Sequence, residues 1–412
     1  MSLIKKGIRI LIADGPVEFA QRLYRSANSR AARRVIDLLY DSIVIDSNEL
    51  KQLSSEYYTI ENTAELPTPQ EQSSLVPLSA SEYTELHLEP RYRFRDPFVA
   101  SISNVFVAGK NSLAYPERGG MIGDTIDFDI YNEIFTVDRI RRCLIEDISK
   151  DPGSIYPLLF GLSSPKQCSN YSYVTILHGR SHTYYQWMIY HLLKIRAAEY
   201  YKDKTGNEVH LIIPPDPPAY IKESLQLLGY SENEYTEWNG KTIKVKKLIV
   251  PSFPEPTPKA IQWLRGRLLA QVSKEETVSK WVYISRQSAD KRRVLNFQEI
   301  EQVLNEYNIE IIELEKYPLS KQISIIHNAD GIVGPHGAGL VNMIWADNLT
   351  VVELFGEVVD APFFILADIL GHKYKALSGK QVDSDKIHRD ADFEIETKKL
   401  REILDSVIHN GN

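Results

Sequence analysis

Gly334-Pro335-His336-Gly337-Ala338-Gly339 runs from an apolar stretch into a segment of helical spacing. Such a turn lets backbone approach a ligand closely, and the free N–H groups at a helix start favour a diphosphate. His336 adds a donor beside that position. The glycines would also suit tight strand-to-helix packing, so the turn alone leaves both uses open. Ser285-Arg286 follows another apolar run, with Lys291, Arg292 and Arg293 close behind, a local basic cluster suited to bidentate phosphate contacts. Arg286 is the member nearest the expected strand end, whereas Lys291 and Arg292 also fit a solvated loop. Glu353 interrupts Val351, Val352, Leu354 and Phe355, and a carboxylate there could accept hydrogen bonds from ribose hydroxyls or be tied up in an ion pair.

His178-Gly-Arg-Ser-His182 offers two imidazoles that could deprotonate an acceptor hydroxyl, or serve as hydrogen-bonded structural histidines. Asp127-Phe128-Asp129 spells the D-x-D pattern that holds a divalent cation in many sugar transferases. It sits in an alternating run that explains exposed carboxylates by itself, and a hard cation needs more converging oxygens than two on one strand face. No metal is therefore expected. The patterns GxSxG, HExxH and GxxxxGK[ST] are absent.

The elements that must position these residues follow from periodicity. In the second half, apolar runs at Trp281–Ser285, Ile309–Leu314, Gly331–Gly334, Thr350–Phe355 and Lys373–Leu377 alternate with helical patterns, which predicts a doubly wound five-stranded parallel sheet. Ligands then bind at the carboxyl edge, where Arg286 and the glycine turn fall. Asn296 with Glu299 predicts a capped helix running to Asn308. In the first half, strands at Ser103–Val107, Asp127–Tyr131, Tyr173–Leu177, Val209–Ile213 and Ile243–Val250 alternate with helices at Tyr184–Tyr201 and Ala219–Leu228, predicting a second parallel sheet covered on both faces. Pro251–Pro258 carries four prolines in eight residues and marks the boundary. The division expected is an extension over 1–90, an acceptor-side domain over 91–250, a donor domain over 251–377 and a helical tail over 378–412. Within the extension, residues 46–90 read as linker-like.

A chain of 412 residues, 43% hydrophobic and 25% charged, exceeds one ordinary core and suits a multidomain soluble enzyme. The net charge of −7 excludes a global nucleic-acid footprint. Two cysteines make no disulfide framework. No run of about 18 apolar residues occurs, and the start lacks a long apolar leader, so an intracellular, cytoplasmic protein is expected. Residues 1–42 hold eight basic and four acidic side chains, including Arg30, Arg33 and Arg34. They read as a solvated helix face, with peripheral attachment to the inner face of the cell membrane as the alternative. Whether copies of the chain associate is left open.

Gly334-Pro-His-Gly-Ala-Gly-Leu-Val-Asn-Met-Ile-Trp345 with Val351-Val-Glu-Leu-Phe355 resembles the signature of glycosyltransferase family 61. Tyr283-Ile-Ser-Arg286 with Arg292-Arg293 and Asn296 is similar to the block that precedes it, and Tyr184-Tyr-Gln-Trp187 to an aromatic helix. The family includes capsular polysaccharide enzymes, xylosyltransferases and O-linked N-acetylglucosaminyltransferases. The resemblance implies a GT-B fold, two Rossmann-like domains facing a cleft, and inversion with no obligatory metal or other cofactor. It places Arg286, His336, Gly337, Ala338 and Gly339 on the nucleotide diphosphate and Glu353 on the ribose. Arg293 and Asn342, inside the matching blocks, join the donor-binding set. The expected partners are a nucleotide-sugar and a glycan or polysaccharide hydroxyl, with His182 or His178 as base. Gln186, Tyr190 and Leu193-Lys194 depart from the family helix, which reads Tyr-x-His-Trp, then an acidic residue and Leu-Pro-Arg. A nucleotide-sugar-binding subunit without turnover is therefore a rival, as is a pyruvyltransferase using phosphoenolpyruvate.

Overall fold

The structure is a computed structural model that describes residues 43–63, 95–125, 133–151, 155, 158, 159, 161, 169–179, 181–252, 256–272, 280–357, 362–382 and 390–409. The basic segment with Arg30, Arg33 and Arg34, the Asp127–Asp129 pair and Cys168 lie outside the described residues.

After strand β1 (Val44–Ile45), Asp46 caps the helix Ser47–Leu53 by accepting from the Glu49 N–H at 2.8 Å. Strand β2 (Glu56–Thr59) then pairs antiparallel with β3 (Phe98–Ala108), and β4 (Leu113–Pro116) folds back on the same strand. β5 (Met121–Ile122) pairs with β1. Residues 46–63 are thus part of the folded body: Tyr57 stacks on Phe98 with centroids 4.8 Å apart, and Glu61 accepts from Arg196 at 2.9 Å. This corrects the linker-like expectation for that stretch. The side chains that secure it come from partners far along the chain, which local composition does not register.

β6 (Ser169–Ile176), β7 (His210–Ile213), β8 (Tyr235–Glu237) and β9 (Ile243–Pro251) complete a seven-stranded sheet ordered β2-β3-β9-β6-β7-β8, with β4 on β3. Strands β9, β6, β7 and β8 are parallel, but β3 runs antiparallel to β9 over most of its length. The sheet is mixed, not parallel throughout. β3 is buried on both sides of the exposed pair Ser103 and Asn104, and its burial pattern gives no sign of strand direction. Helical chain follows β6: Tyr184–Gln186 is α, Trp187–His191 forms a π turn, and Leu192–Thr205 is α again. Gly206 ends it in the left-handed conformation at φ 73°.

The second half begins with the helix Pro258–Leu269, whose Thr257 cap accepts from the Ala260 N–H at 3.2 Å. β10 (Trp281–Ile284), β11 (Glu310–Ile312), β12 (Gly331–Pro335), β13 (Thr350–Phe355) and β14 (Lys373–Ser378) form a wholly parallel sheet in the order β11-β10-β12-β13-β14. Both faces are covered. Val282, Ile332, Val351 and Phe355 face one apolar cluster, whereas Tyr283, Val333, Val352 and Leu354 face another beneath the helices Phe297–Glu306 and Thr397–Leu404. The C-terminal segment therefore packs on the second sheet, where Leu400 and Leu404 are fully buried, after β15 (Lys380–Gln381) and β16 (Phe393–Glu394) pair. Asn296 does not cap its helix by a side-chain bond. Its Nδ2 donates to the Ile395 carbonyl at 2.8 Å and its Oδ1 accepts from the Ile395 N–H at 3.0 Å, stitching that segment down.

One apolar cluster runs unbroken from Leu211, Ile213, Trp187 and Ile221 of the first half to Ile261, Ile323, Met343 and Val351 of the second. Polar bonds reinforce it: Glu223 accepts from the Leu319 N–H at 2.7 Å and Arg267 pairs with Glu199 at 2.7 Å. No helix among the described residues is long and apolar enough to cross a membrane.

Candidate functional site

Open parallel sheets bind ligands beyond their carboxyl ends where the strand order reverses. In the second sheet that crevice lies between β10 and β12. Ser285 and Arg286 follow β10; His336 and Gly337 follow β12. The glycines of this region divide by use. A Cβ at Gly331 would strike the Trp281 ring, and one at Gly339 would press on the Ile284 side chain at 2.9 Å, so these serve strand and helix packing. A Cβ at Gly337 would instead overlap the Arg286 guanidinium, so this glycine makes room for a charge.

Arg286 donates from Nη2 to the Lys291 carbonyl at 3.3 Å, while its Nε is buried with no acceptor among the described residues. Burial, and then the positive charge of Arg292, lower its pKa, with Glu315 opposing them. A guanidinium keeps its proton regardless, so the result is a cation whose charge is poorly compensated at the sheet edge. The segment Ala338–Trp345 is 3-10 and not α. Leu340 donates back to the Gly337 carbonyl at 3.0 Å, whereas the N–H groups of Gly337, Ala338 and Gly339 have no acceptor among the described residues. Arg286 and these amides gather donors and positive charge at one sheet edge, which suits an anion.

His336 is buried, stacked on Phe355 and edged by Phe363, each centroid 5.3 Å away. Its Nδ1 meets Glu353 Oε1 at 2.6 Å, and the Tyr374 hydroxyl donates to Glu353 Oε2. Glu353 is 0% exposed. The sequence marks this carboxylate as unusual, but its two oxygens are turned to His336 and Tyr374 inside the protein, and the ribose contact expected of it has no exposed oxygen to use.

Two other expected donor-binding residues are engaged elsewhere. Arg293 clasps the nearly buried Asp392, Nε to Oδ2 at 3.1 Å and Nη2 to Oδ2 at 2.7 Å, while its own N–H reaches Oδ1 at 2.8 Å. It anchors the C-terminal segment. Asn342 is 0% exposed; its Oδ1 accepts from Tyr184 at 2.7 Å and from Trp345 Nε1 at 2.9 Å, and its Nδ2 donates to the Gly339 carbonyl at 2.9 Å. It joins the aromatic helix of the first half to the glycine turn of the second. Tyr185 makes the same crossing, edge-on to Phe363 at 5.5 Å.

In the first sheet the order reverses between β6 and β9, and His178 lies just beyond β6. His178 Nδ1 bonds the buried Ser112 hydroxyl, and the Trp238 ring stands edge-on at 5.9 Å. Burial, then the nearby His191, His182, Lys194 and Lys110, push the His178 pKa down to about 3, so the ring is neutral. Ser112 sits at φ 59°, in the left-handed region. Its turn is held by Asn111, whose Nδ2 donates to Asp147 Oδ1 at 2.9 Å; burial raises the Asp147 pKa to about 6. His182 is half-buried, its ring 6.1 Å from that of His178, and it lies two residues before the Tyr184 that touches Asn342. Of the two histidines, His182 is the one that is partly exposed.

Sequence reasoning missed Tyr374, Ser112, Asn111 and Asp147. Only Asn111-Ser112, close behind Gly109, hinted at a built turn; Tyr374 and Asp147 act through partners 21 and 36 residues away.

The sequence profile described as Glycosyltransferase 61 matches residues 128–352, more than half of the chain. A stretch of 97 residues is 30% identical to the EGF domain-specific O-linked N-acetylglucosamine transferase of Drosophila melanogaster, spanning 23% of this chain and 18% of that protein. The chain thus matches less than a fifth of that relative's length. With the match running from the first sheet through β12 and into β13, across both switch points, the chain belongs to glycosyltransferase family 61.

Proposed function

We propose that this protein transfers a sugar from a nucleotide diphosphate donor to a hydroxyl of a glycan acceptor in one inverting displacement that requires no metal. The observation that carries this is the Arg286 guanidinium lying against Gly337 in the β10–β12 crevice, beside His336. In this reading Arg286, His336 and the amides of Gly337, Ala338 and Gly339 stabilise the leaving diphosphate, the charge that grows in the transition state. Those groups supply the positive charge a cation would otherwise provide.

His182 is the better base, being half-buried at the junction, whereas His178 is held neutral and sealed against Ser112. Two sheets with polar carboxyl edges, joined by Tyr184 and Asn342, support a GT-B-like arrangement with the acceptor side near 91–250 and the donor side near 251–377. The name of the Drosophila relative puts N-acetylglucosamine first among donor sugars to try.

A thermal-shift screen with nucleoside diphosphates and nucleotide-sugars tests the proposal, since a ligand of the folded state raises apparent stability. Stabilisation by one nucleotide class and its loss in Arg286→Ala is expected. A flat response to all of them overturns the donor site; binding with no transfer to any acceptor points to the inactive subunit motivated by Gln186 and Tyr190.

A further inference from the structure

Resting on the donor-site reading above, we propose that Glu353 and Tyr374 are positioning residues that ready His336 to bind the diphosphate as an imidazolium, so that a nucleoside diphosphate takes up a proton at His336 as it binds. The geometry is directional. Nδ1 of His336 is committed to Glu353 Oε1 at 2.6 Å, so Nε2 is the ring atom left for a ligand. With Nδ1–H given to the carboxylate, a neutral ring presents a bare lone pair at Nε2, which repels a phosphate oxygen; only the protonated ring presents an N–H there.

The charged and titratable groups around the ring set the balance. Glu353 from β13 favours the cation, and Tyr374 from β14 fixes that carboxylate through Oε2. Arg286, beyond β10 and against Gly337, opposes a second positive charge in the unliganded crevice. The two rings packed against it, Phe355 and Phe363, do not titrate. Adding a diphosphate places anions on both sides of the imidazole and offsets Arg286, so the proton arrives with the ligand. In the transfer, the acceptor oxygen bonds the anomeric carbon as the bond from that carbon to the diphosphate oxygen breaks. The electron pair stays on the phosphate, where the Nε2 proton is shared, and the acceptor's own proton goes to the base.

Isothermal titration calorimetry of the full chain with UDP, GDP and ADP as probes, in two buffers of different ionisation enthalpy at pH 8, reads proton uptake directly. Uptake approaching one proton per bound nucleotide is expected in the wild type, and near zero in His336→Asn. In Glu353→Gln it should fall sharply, with affinity reduced about tenfold and the alkaline limb of kcat/KM moved down by about one pH unit, because removing the carboxylate lowers the proton affinity of the ring. Tyr374→Phe keeps the bulk of the side chain and should give the same change more weakly, which covers the case where the buried amide of Glu353→Gln impairs folding. Tight binding without uptake, or uptake unchanged in both variants, overturns this inference and leaves the donor site standing. Binding of none of the probes by the wild type overturns both.

Discussion

The switch points of the two sheets use histidine in opposite ways. Beyond β6, His178 turns its Nδ1 to a buried serine and is driven neutral by burial and by cations around it. Beyond β12, His336 turns its Nδ1 to a buried carboxylate. The same side chain at equivalent places in two sheets is made a neutral structural group by one set of neighbours and is tied to a buried carboxylate by the other. Position at a sheet edge nominates a residue; the atom behind its ring decides its use.

Four substitutions probe that contrast. His182→Ala removes the proposed base, so turnover should fall about 10²–10⁴-fold while nucleotide binding persists, measured by transfer assay alongside thermal shift. Full activity in that variant would return the role to another group of the first half. Arg286→Ala should weaken stabilisation of the leaving group by about 10²–10³-fold in kcat and abolish the nucleotide-induced thermal shift. His178 tests the other kind of histidine. Its folded pKa of about 3 lies below the ordinary 6.5, so the unfolded chain binds the proton first: the stability it contributes is complete above about pH 6.5 and is lost as pH falls toward 3. That is about 3 kcal/mol between pH 7 and 4, and His178→Asn should remove this part of the acid limb in denaturant titrations at the two pH values. Smallest is Tyr184→Phe, which deletes the bond to Asn342 and should cost about 1 kcal/mol in the same titrations, without altering nucleotide specificity.

The second sheet was legible because each strand is a short apolar run between helical segments, buried on both faces, and the strands found coincide with those expected within a residue or two. The mixed character of the first sheet was not, since the β3–β9 pairing joins residues about as far apart as Val99 and Pro251. In the site, Arg286 and the glycine turn were read from strand ends alone. Glu353 was noticed for its oddity and left between a ribose contact and an internal ion pair, because nothing local shows that Tyr374 and His336 close over it. The partners of Arg293 and Asn296 were out of local reach for the same reason: Asp392 and Ile395 lie 99 residues further on.

The unbroken apolar cluster between the halves carries a practical consequence. Cutting the chain at the proline-rich boundary would leave two fragments, each with a bare greasy face made of helices that normally meet the other. Neither would stay in solution as a separate module, and the second half could not be joined to a different first half by splicing sequences at residue 251. Exchange of specificity in this protein has to proceed by altering side chains and loops at the sheet edges, with the junction of the halves inherited whole.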